Sequence, residues 1–390
     1  MKEVKRLISG AKGSFFLFGP RGTGKSVWLK ERFPDALTIS LLNVTRRREM
    51  RANPQLLRSL VDGAGKIGDI VIDEIQRAPE LLDVVHSLME EKRGLRFILT
   101  GSSARKLKRN ATADLLGGRA VLKYCHPFMA SELGNEFSLE RALQVGMIPL
   151  VLNSPPETPE SILSTYLDLY LQEEVTSEGV IRNLDAFARF LEAASFSHGQ
   201  ILSVSEIARD AGVKRSTIDG YFQILEDMLI SRHLPVFAKC AKRTLVGHDK
   251  YYFFDAGVFR ALRPKGPLDR PSEIDGACLE GLVFQHLNAW NDYGGRKNQL
   301  YFWRTKAGVE VDFVVYGSEC FHAIEVKNAD KVSRRDAAGL ESFHADYPEA
   351  TCTVLYRGRD RIKISEHCFA LPVEQFLRDV VPNAPLPIAE

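Results

Sequence analysis

Phe15-Phe16-Leu17-Phe18-Gly19-Pro20-Arg21-Gly22-Thr23-Gly24-Lys25-Ser26 decides how the rest of the chain is read. Four consecutive apolar residues read as a strand covered on both faces, the habit of a parallel sheet. The next eight fit G-x-x-x-x-G-K-[ST] at every fixed position, and a helical pattern starts near Lys25. Such glycines let backbone N–H groups curl around phosphate oxygens, and the helix N-terminus adds positive potential. Gly19, Pro20, Arg21, Gly22, Thr23, Gly24, Lys25 and Ser26 are therefore the candidate nucleotide-binding set. In that reading Lys25 reaches the β and γ phosphates and the Ser26 hydroxyl binds Mg2+. The plain alternative is a glycine-rich turn with no ligand.

Working outward, apolar runs at 14–19, 37–41, 69–73 and 96–100 alternate with helical patterns starting near Lys25, Thr45 and Pro79, the signature of a parallel α/β sheet. The run Asp69-Ile-Val-Ile-Asp73-Glu74 ends a strand in paired carboxylates. Asp73 is the candidate to hold Mg2+ through water, and Glu74 the candidate to orient or deprotonate an attacking water; the alternative is a solvated acidic pair. The next strand ends in Thr100-Gly-Ser102-Ser103, where Thr100 or Ser102 is a candidate γ-phosphate sensor or, equally, a helix cap. After Asn110-Ala-Thr-Ala-Asp-Leu-Leu-Gly117-Gly118 comes Arg119, a candidate for stabilising phosphoryl charge in its own chain or a neighbouring subunit, against a surface salt bridge.

The whole chain has 390 residues, 45% hydrophobic and 26% charged, which at about 150 residues per domain makes two or three domains. Lys+Arg 52 against Asp+Glu 50 leaves a formal +2. That excludes a globally polybasic nucleic-acid binder, so DNA contact would come from local patches. No apolar run approaches the roughly 18–20 residues of a membrane span. The start Met1-Lys2-Glu3-Val4-Lys5-Arg6 does not read as a signal peptide, and the six cysteines are scattered without a CxxC pair. The expectation is a cytoplasmic protein with neither zinc ribbon nor disulfide scaffold and no membrane partner.

The phosphate loop, Asp73-Glu74, Leu99-Thr-Gly-Ser-Ser103, Gly118-Arg119 and Pro127-Phe128 form an ordered series that resembles a large prokaryotic family of AAA-type ATPases with a C-terminal domain of uncharacterised function. The extra strand between loop and acidic pair is similar to the branch of P-loop ATPases that hydrolyses ATP. The resemblance implies an AAA+-like module, a winged helix and a restriction-endonuclease-like domain, with ATP and Mg2+ as cofactors, ADP as product, a sensor role for Thr100 or Ser102, and a homo-oligomer. Proline-rich breaks at 153–160 and 263–271 place the expected domains at 1–155, 156–262 and 263–390.

In the middle, Ser203 followed by Glu206 has capping-box spacing, Gly212 marks a turn, and Ile218, Phe222, Leu225 and Leu229 make an apolar stripe. Lys214, Arg215, Ser216 and Thr217 open the second helix and are candidate DNA-binding residues, with segments 230–237 and 250–254 as the wing. The alternative is a winged helix that relays nucleotide state or contacts other subunits.

Beyond a helix at about 275–291, strands are expected near 299–304, 309–316, 321–327 and 351–356. In Val309-Glu310-Val311-Asp312 the two acids share a face, and Ala323-Ile324-Glu325-Val326-Lys327 puts Glu325 and Lys327 on one face, the pattern of the PD-(D/E)xK nuclease fold. Glu280 falls on the apolar stripe of its helix, where an unpaired carboxylate is costly, so a metal or a partner near Asp312 is expected. Glu280, Asp312 and Glu325 are candidate ligands of a second Mg2+ or Mn2+, and Lys327 a candidate to activate water. Alternating surface charge is the bland alternative. Three function classes stay open: an ATPase acting on DNA with a nuclease-like domain, an ATP-gated DNA- or protein-binding switch with an inactive nuclease fold, and a branch-migration motor.

Overall fold

The computed structural model describes residues 4–65, 67–103, 118–155, 158–171, 183–267 and 269–388. The chain forms two compact units, one of Ile8–His126 with Ile224–Ile230, the other of Met1–Leu7, Pro127–Gln223 and Ser231–Glu390. Apart from Ile224–Ile230, the second unit holds the segments 156–262 and 263–390 together and takes in 127–155 as well.

In the first unit, strands β1 (Phe15–Phe18), β2 (Leu37–Ser40), β3 (Asp69–Asp73), β4 (Arg96–Gly101) and β5 (Val121–Tyr124) form a parallel sheet among the described residues, in the order β2-β3-β4-β1-β5. β1 is buried at all four positions, as its unbroken apolar run requires. Helices α1 (Lys25–Arg32), α2 (Val44–Ala52), α3 (Leu56–Gly63) and α4 (Leu81–Glu90) connect the strands. Phe16, Phe18, Ile72, Leu99, Met50, Leu57, Leu81, Val85 and Leu88 share one core. At the starts of β3 and β4, Arg96 donates from Nε to Asp69 Oδ1 at 2.6 Å and from Nη2 to Oδ2 at 2.7 Å, a two-point clamp on the Asp69–Arg96 register pair. Because β4 lies between β1 and β3, the chain leaves all three strands at the same C-terminal edge, where doubly wound sheets bind ligands.

In the second unit, helices α5 (Leu184–Ser195), α6 (Val204–Ala211) and α7 (Arg215–Asp227, of which Ile224–Asp227 belong to the first unit) accompany strands β6 (Gln200–Ile201), β7 (Ser231–Leu234) and β8 (Lys250–Phe253), which pair antiparallel in the order β6-β8-β7. Gly212, at φ 69, closes α6 in the left-handed conformation glycine adopts freely, and Val213 N–H donates to Ala208 O at 3.0 Å. Ser203 is the N-cap of α6 but makes no side-chain cap bond, so the expected capping box is not formed. Ile218, Phe222 and Leu225 are buried as the stripe requires, whereas Leu229 lies past the helix end at φ 60.

The C-terminal segment adds helix α8 (Pro271–Tyr293), strands β9 (Asn298–Arg304), β10 (Glu310–Gly317), β11 (Cys320–Lys327), β12 (Thr351–Tyr356), β13 (Ile362–Lys363) and β14 (Cys368–Pro372), and helix α9 (Ala338–Asp346). The sheet is mixed, ordered β13-β14-β12-β11-β10-β9. β7 and β8 pair antiparallel, and their connection is not free. Phe302 N–H donates to Pro235 O at 3.0 Å, Val246 N–H to Arg304 O at 3.1 Å and Lys306 N–H to Thr244 O at 3.0 Å, so the connection covers the β9 edge. Phe237 anchors it, 1% exposed, with its ring centroid 5.2 Å from that of Tyr347 and 5.4 Å from that of Tyr301. No helix among the described residues is long and apolar enough to cross a membrane.

Phe237→Ala empties an aromatic site inside this core and should cost about 3–5 kcal/mol of unfolding free energy. Chemical denaturation reads it; an unshifted midpoint would mean the connection does not hold the sheet edge.

Candidate functional site

At the C-terminal edge of the parallel sheet, the loop after β1 wraps around its own lysine. Lys25 is 6% exposed, and its Nζ donates to Gly19 O at 2.6 Å and Pro20 O at 3.1 Å. Gly22 at φ 80 and Gly24 at φ 87 supply left-handed turns that side-chain-bearing residues resist. Gly19 is required for another reason: a Cβ there would lie 2.4 Å from Cys125 O, because the end of β5 crosses it. Thr23 Oγ1 donates to Pro20 O at 2.7 Å, closing the loop, and Ser26 and Arg21 stand exposed.

Across the same edge, Thr100 is fully buried between the loop strand and the acidic strand. Its hydroxyl donates to Asp73 Oδ1 at 2.5 Å and accepts from Glu74 N–H at 3.2 Å. One hydroxyl therefore holds the Asp73 carboxylate and the Glu74 main chain. Glu74 itself sits at φ 64, a left-handed conformation costing a non-glycine residue about 1–3 kcal/mol. Its Oε2 accepts from Gln76 Nε2 at 2.6 Å and Ser102 Oγ at 3.4 Å, and Gln76 Nε2 also reaches Ser102 Oγ at 2.9 Å. Gln76 is 4% exposed and was absent from the sequence reading; only its place two residues beyond the acidic pair could have marked it. Its Oε1 has no hydrogen-bond partner among the described residues.

Asp73, Glu74, Thr100 and Ser102 thus form one bonded group. Arg119 does not join it: its guanidinium bonds the His86 ring and lies 3.2 Å from Glu90 Oε1, both on α4. The stretch 104–117 that precedes it lies outside the described residues. Lys214, Arg215 and Ser216 are exposed at the start of α7 and Thr217 is half-buried.

In the second unit, the expected metal set is arranged differently from its reading. Glu280 and Asp312 do meet, but around a lysine from β8. Lys250 is 2% exposed; its Nζ lies 3.0 Å from Glu280 Oε1 and 3.2 Å from Asp312 Oδ1, and it also pairs with Glu310. Tyr252 donates its hydroxyl to Glu280 Oε1 at 2.5 Å, Val326 N–H donates to Asp312 Oδ2 at 2.9 Å, and Arg304 bonds Glu310 Oε2 at 2.9 Å. Burial works against the lysine charge, yet Glu280, Tyr252, Asp312 and Glu310 together hold the ammonium well above the ordinary lysine range. Glu325 stands apart, accepting from Lys327 Nζ at 2.6 Å, while its Oε2 is buried with no hydrogen-bond partner among the described residues. Burial and the nearby Asp312 charge push the Glu325 carboxyl up, against the pull of Lys327.

Glu280 and Asp312 thus meet around Lys250, with Glu325 paired to Lys327, and among the described residues no group of three or more His, Cys, Asp or Glu is arranged to hold a metal ion. Glu280 needed a partner, and that partner is an ammonium. Lys250 was missed because a lysine heading the apolar run Tyr251-Tyr252-Phe253 reads as a strand end reaching for solvent. His286 is fully buried, accepting at Nε2 from Ala130 N–H at 2.8 Å, and burial pushes its ring down to about 4.

Comparison with known proteins divides the chain into three matches. Residues 11–134 match a family model described as an AAA domain, residues 136–269 a domain of unknown function (DUF8612), and residues 275–376 a second domain of unknown function (DUF4143). The chain is 28% identical over 368 residues to the uncharacterized proteins Mb2031c of Mycobacterium bovis and Rv2008c of Mycobacterium tuberculosis, covering 93% of this chain and 80% of each relative. Among solved structures it is similar to Cdc6p of Pyrobaculum aerophilum, at 14% identity and a TM-score of 0.26 over 64% of this chain and 87% of that one. It is also similar to a signal transduction ATPase with numerous domains from Pyrococcus horikoshii, at 14% identity and a TM-score of 0.22 over 72% of this chain and 45% of that one. At such TM-scores the structural likenesses carry no argument. The AAA match spans the parallel sheet and its phosphate loop, so the N-terminal part of the chain is an AAA-type, ATPase-like domain.

Gly19→Ala should lower both thermal stability and nucleotide affinity, because its methyl meets the Cys125 carbonyl. Gly63→Ala, with open space around the added methyl, should leave both within experimental error or raise stability slightly. Thermal unfolding with and without nucleotide distinguishes them, and a Gly19→Ala protein matching the Gly63 variant would refute the steric account.

Proposed function

We propose that the chain is an Mg2+-dependent AAA-type ATPase that binds and hydrolyses ATP, with a winged-helix segment and a nuclease-like C-terminal segment that engage DNA. The observation that carries the nucleotide reading is the bonded group at the sheet edge, in which the Thr100 hydroxyl ties Asp73 to Glu74 on the strand beside the Lys25 loop.

The residues fit a nucleotide and its metal. Among the described residues the Lys25 ammonium is held by loop carbonyls, bonds that phosphate oxygens replace with a gain in charge complementarity. Ser26, exposed at the start of α1, and Asp73 would hold Mg2+, which when bound neutralises phosphate charge. Glu74 orients and deprotonates the attacking water; its fixed backbone and its bonds from Gln76 and Ser102 set the carboxylate direction. Thr100 or Ser102 senses the γ-phosphate. Arg119, half-exposed on the α4 surface, acts on a neighbouring subunit of a homo-oligomer rather than on its own chain.

The three family matches, broken near residues 135 and 270, support three functional segments, read from sequence as 1–155, 156–262 and 263–390. In the middle segment, two helices joined at Gly212 and the β6-β8-β7 sheet support a winged helix, with Lys214, Arg215, Ser216 and Thr217 at the N-terminal start of α7 facing phosphates or base edges. Asp312, Glu325 and Lys327 on neighbouring strands of a mixed sheet support the nuclease-like reading. The second reading, an ATP-gated binding switch whose nuclease fold does not turn over, is favoured by Lys250 lying among the acids.

ATP hydrolysis by the full chain, assayed alone and with linear, supercoiled and branched DNA, tests these assignments. Lys25→Ala should lose ATP binding by equilibrium titration; retained affinity would refute the phosphate-loop assignment. Glu74→Gln should bind ATP normally but turn over about 10²–10⁴-fold more slowly. Near-normal turnover would remove Glu74 from the chemistry, and hydrolysis indifferent to every DNA form would remove DNA as the effector.

A further inference from the structure

We infer that the ammonium of Lys250 is the resident cation of the C-terminal acid cluster, and that the wild-type protein therefore holds no divalent metal between Glu280 and Asp312. The geometry of the donor set leads there. Three donors on one Nζ face three carboxylates: Glu280 on α8, and Glu310 and Asp312 on β10. The oxygens turned toward the lysine are already engaged. Asp312 uses Oδ1 on Lys250 and Oδ2 on the Val326 N–H. Glu280 Oε1 accepts from both Lys250 and Tyr252, and Glu310 is shared between Lys250 and Arg304. A divalent ion requires several oxygens at about 2.0–2.6 Å, and it would have to lie where the lysine charge now is.

Nor is Lys250 placed to swing aside. It belongs to β8, the central strand of its sheet, paired with Ile201 on one side and Leu234 on the other. Its Nζ also lies 5.7 Å from the centre of the Phe302 ring, on β9. Displacing the ammonium means moving a side chain that is 2% exposed away from its three carboxylates. The lysine thus does what a metal does in a metal-dependent nuclease, gathering acids from separate elements, but it supplies neither a Lewis acid nor an activated water. The acid cluster joins the β6-β8-β7 sheet to the six-stranded sheet and is a tether rather than a cleavage centre. This holds whether or not the N-terminal domain hydrolyses ATP.

The test uses Mn2+ as the probe, added to the nucleotide-free full chain, with the free ion measured by electron paramagnetic resonance. Wild type and Asp312→Asn should take up equal Mn2+ to the millimolar range, any weak uptake elsewhere being common to both. A Mn2+ equivalent bound by wild type and lost in Asp312→Asn overturns the inference. Independently, Lys250→Met should lower the melting temperature by about 10 °C or more, because it leaves three carboxylates without their cation. A Lys250→Met protein as stable as wild type also overturns it. If that variant does not fold, the comparison of wild type with Asp312→Asn decides alone.

Discussion

A buried ammonium is tolerated only where opposite charge surrounds it, and in the second unit Lys250 imposes that condition on everything near it. Removing a charge from water costs several kcal/mol, recovered only when geometry and hydrogen bonds are complete. Completeness here draws on four elements: β8 for the lysine, α8 for Glu280, β10 for Glu310 and Asp312, and β11 for the Val326 N–H that steadies Asp312. Moving any one of them removes part of what compensates the buried ammonium. The middle sheet and the C-terminal sheet therefore pack as parts of one unit, with the β7–β8 connection sealing the β9 edge beside them. A short lysine-to-carboxylate reach binds two segments that family matches treat as separate.

The first unit relies on a different economy. Its sheet is held from both faces by apolar side chains and its register is set at one end by the Asp69–Arg96 clamp. The opposite end is thereby left to polar groups, and they are used densely. Thr100 spends its single hydroxyl on two acids, and Glu74 accepts a strained backbone to aim its carboxylate at Gln76 and Ser102. Strain at such a position persists only because neighbouring contacts over-determine it. The packed strands beneath supply the rigidity, and the loop supplies Lys25, a cation held by the loop's own backbone carbonyls.

Much of this was legible beforehand. Four strands of the parallel sheet fall within a residue or two of their expected places, because buried parallel strands announce themselves as unbroken apolar runs. β9 to β12 are similarly close, being short runs rich in β-branched and aromatic residues. Short elements escaped: the two-residue β6 and β13 carry too few residues for any periodicity. The Ser203–Glu206 pair shows the opposite failure, a correct spacing whose bonds the folded chain does not make.

By itself the sequence determined the phosphate loop, the acid-tipped strand and the conflict at Glu280, because each is local: a spacing, a strand end, a charge on an apolar stripe. It also posed the right question about Glu280, which needed a metal or a partner. Only the tertiary structure chose between them. Lys250 precedes Glu280 by thirty residues and Asp312 by sixty-two, and no pattern of hydrophobicity records which distant charge a burial cost will recruit. The same holds for Thr100 and for Cys125 against Gly19. Periodicity encodes which face a residue presents to the core, whereas pairing across the core is decided by the packing that brings those faces together.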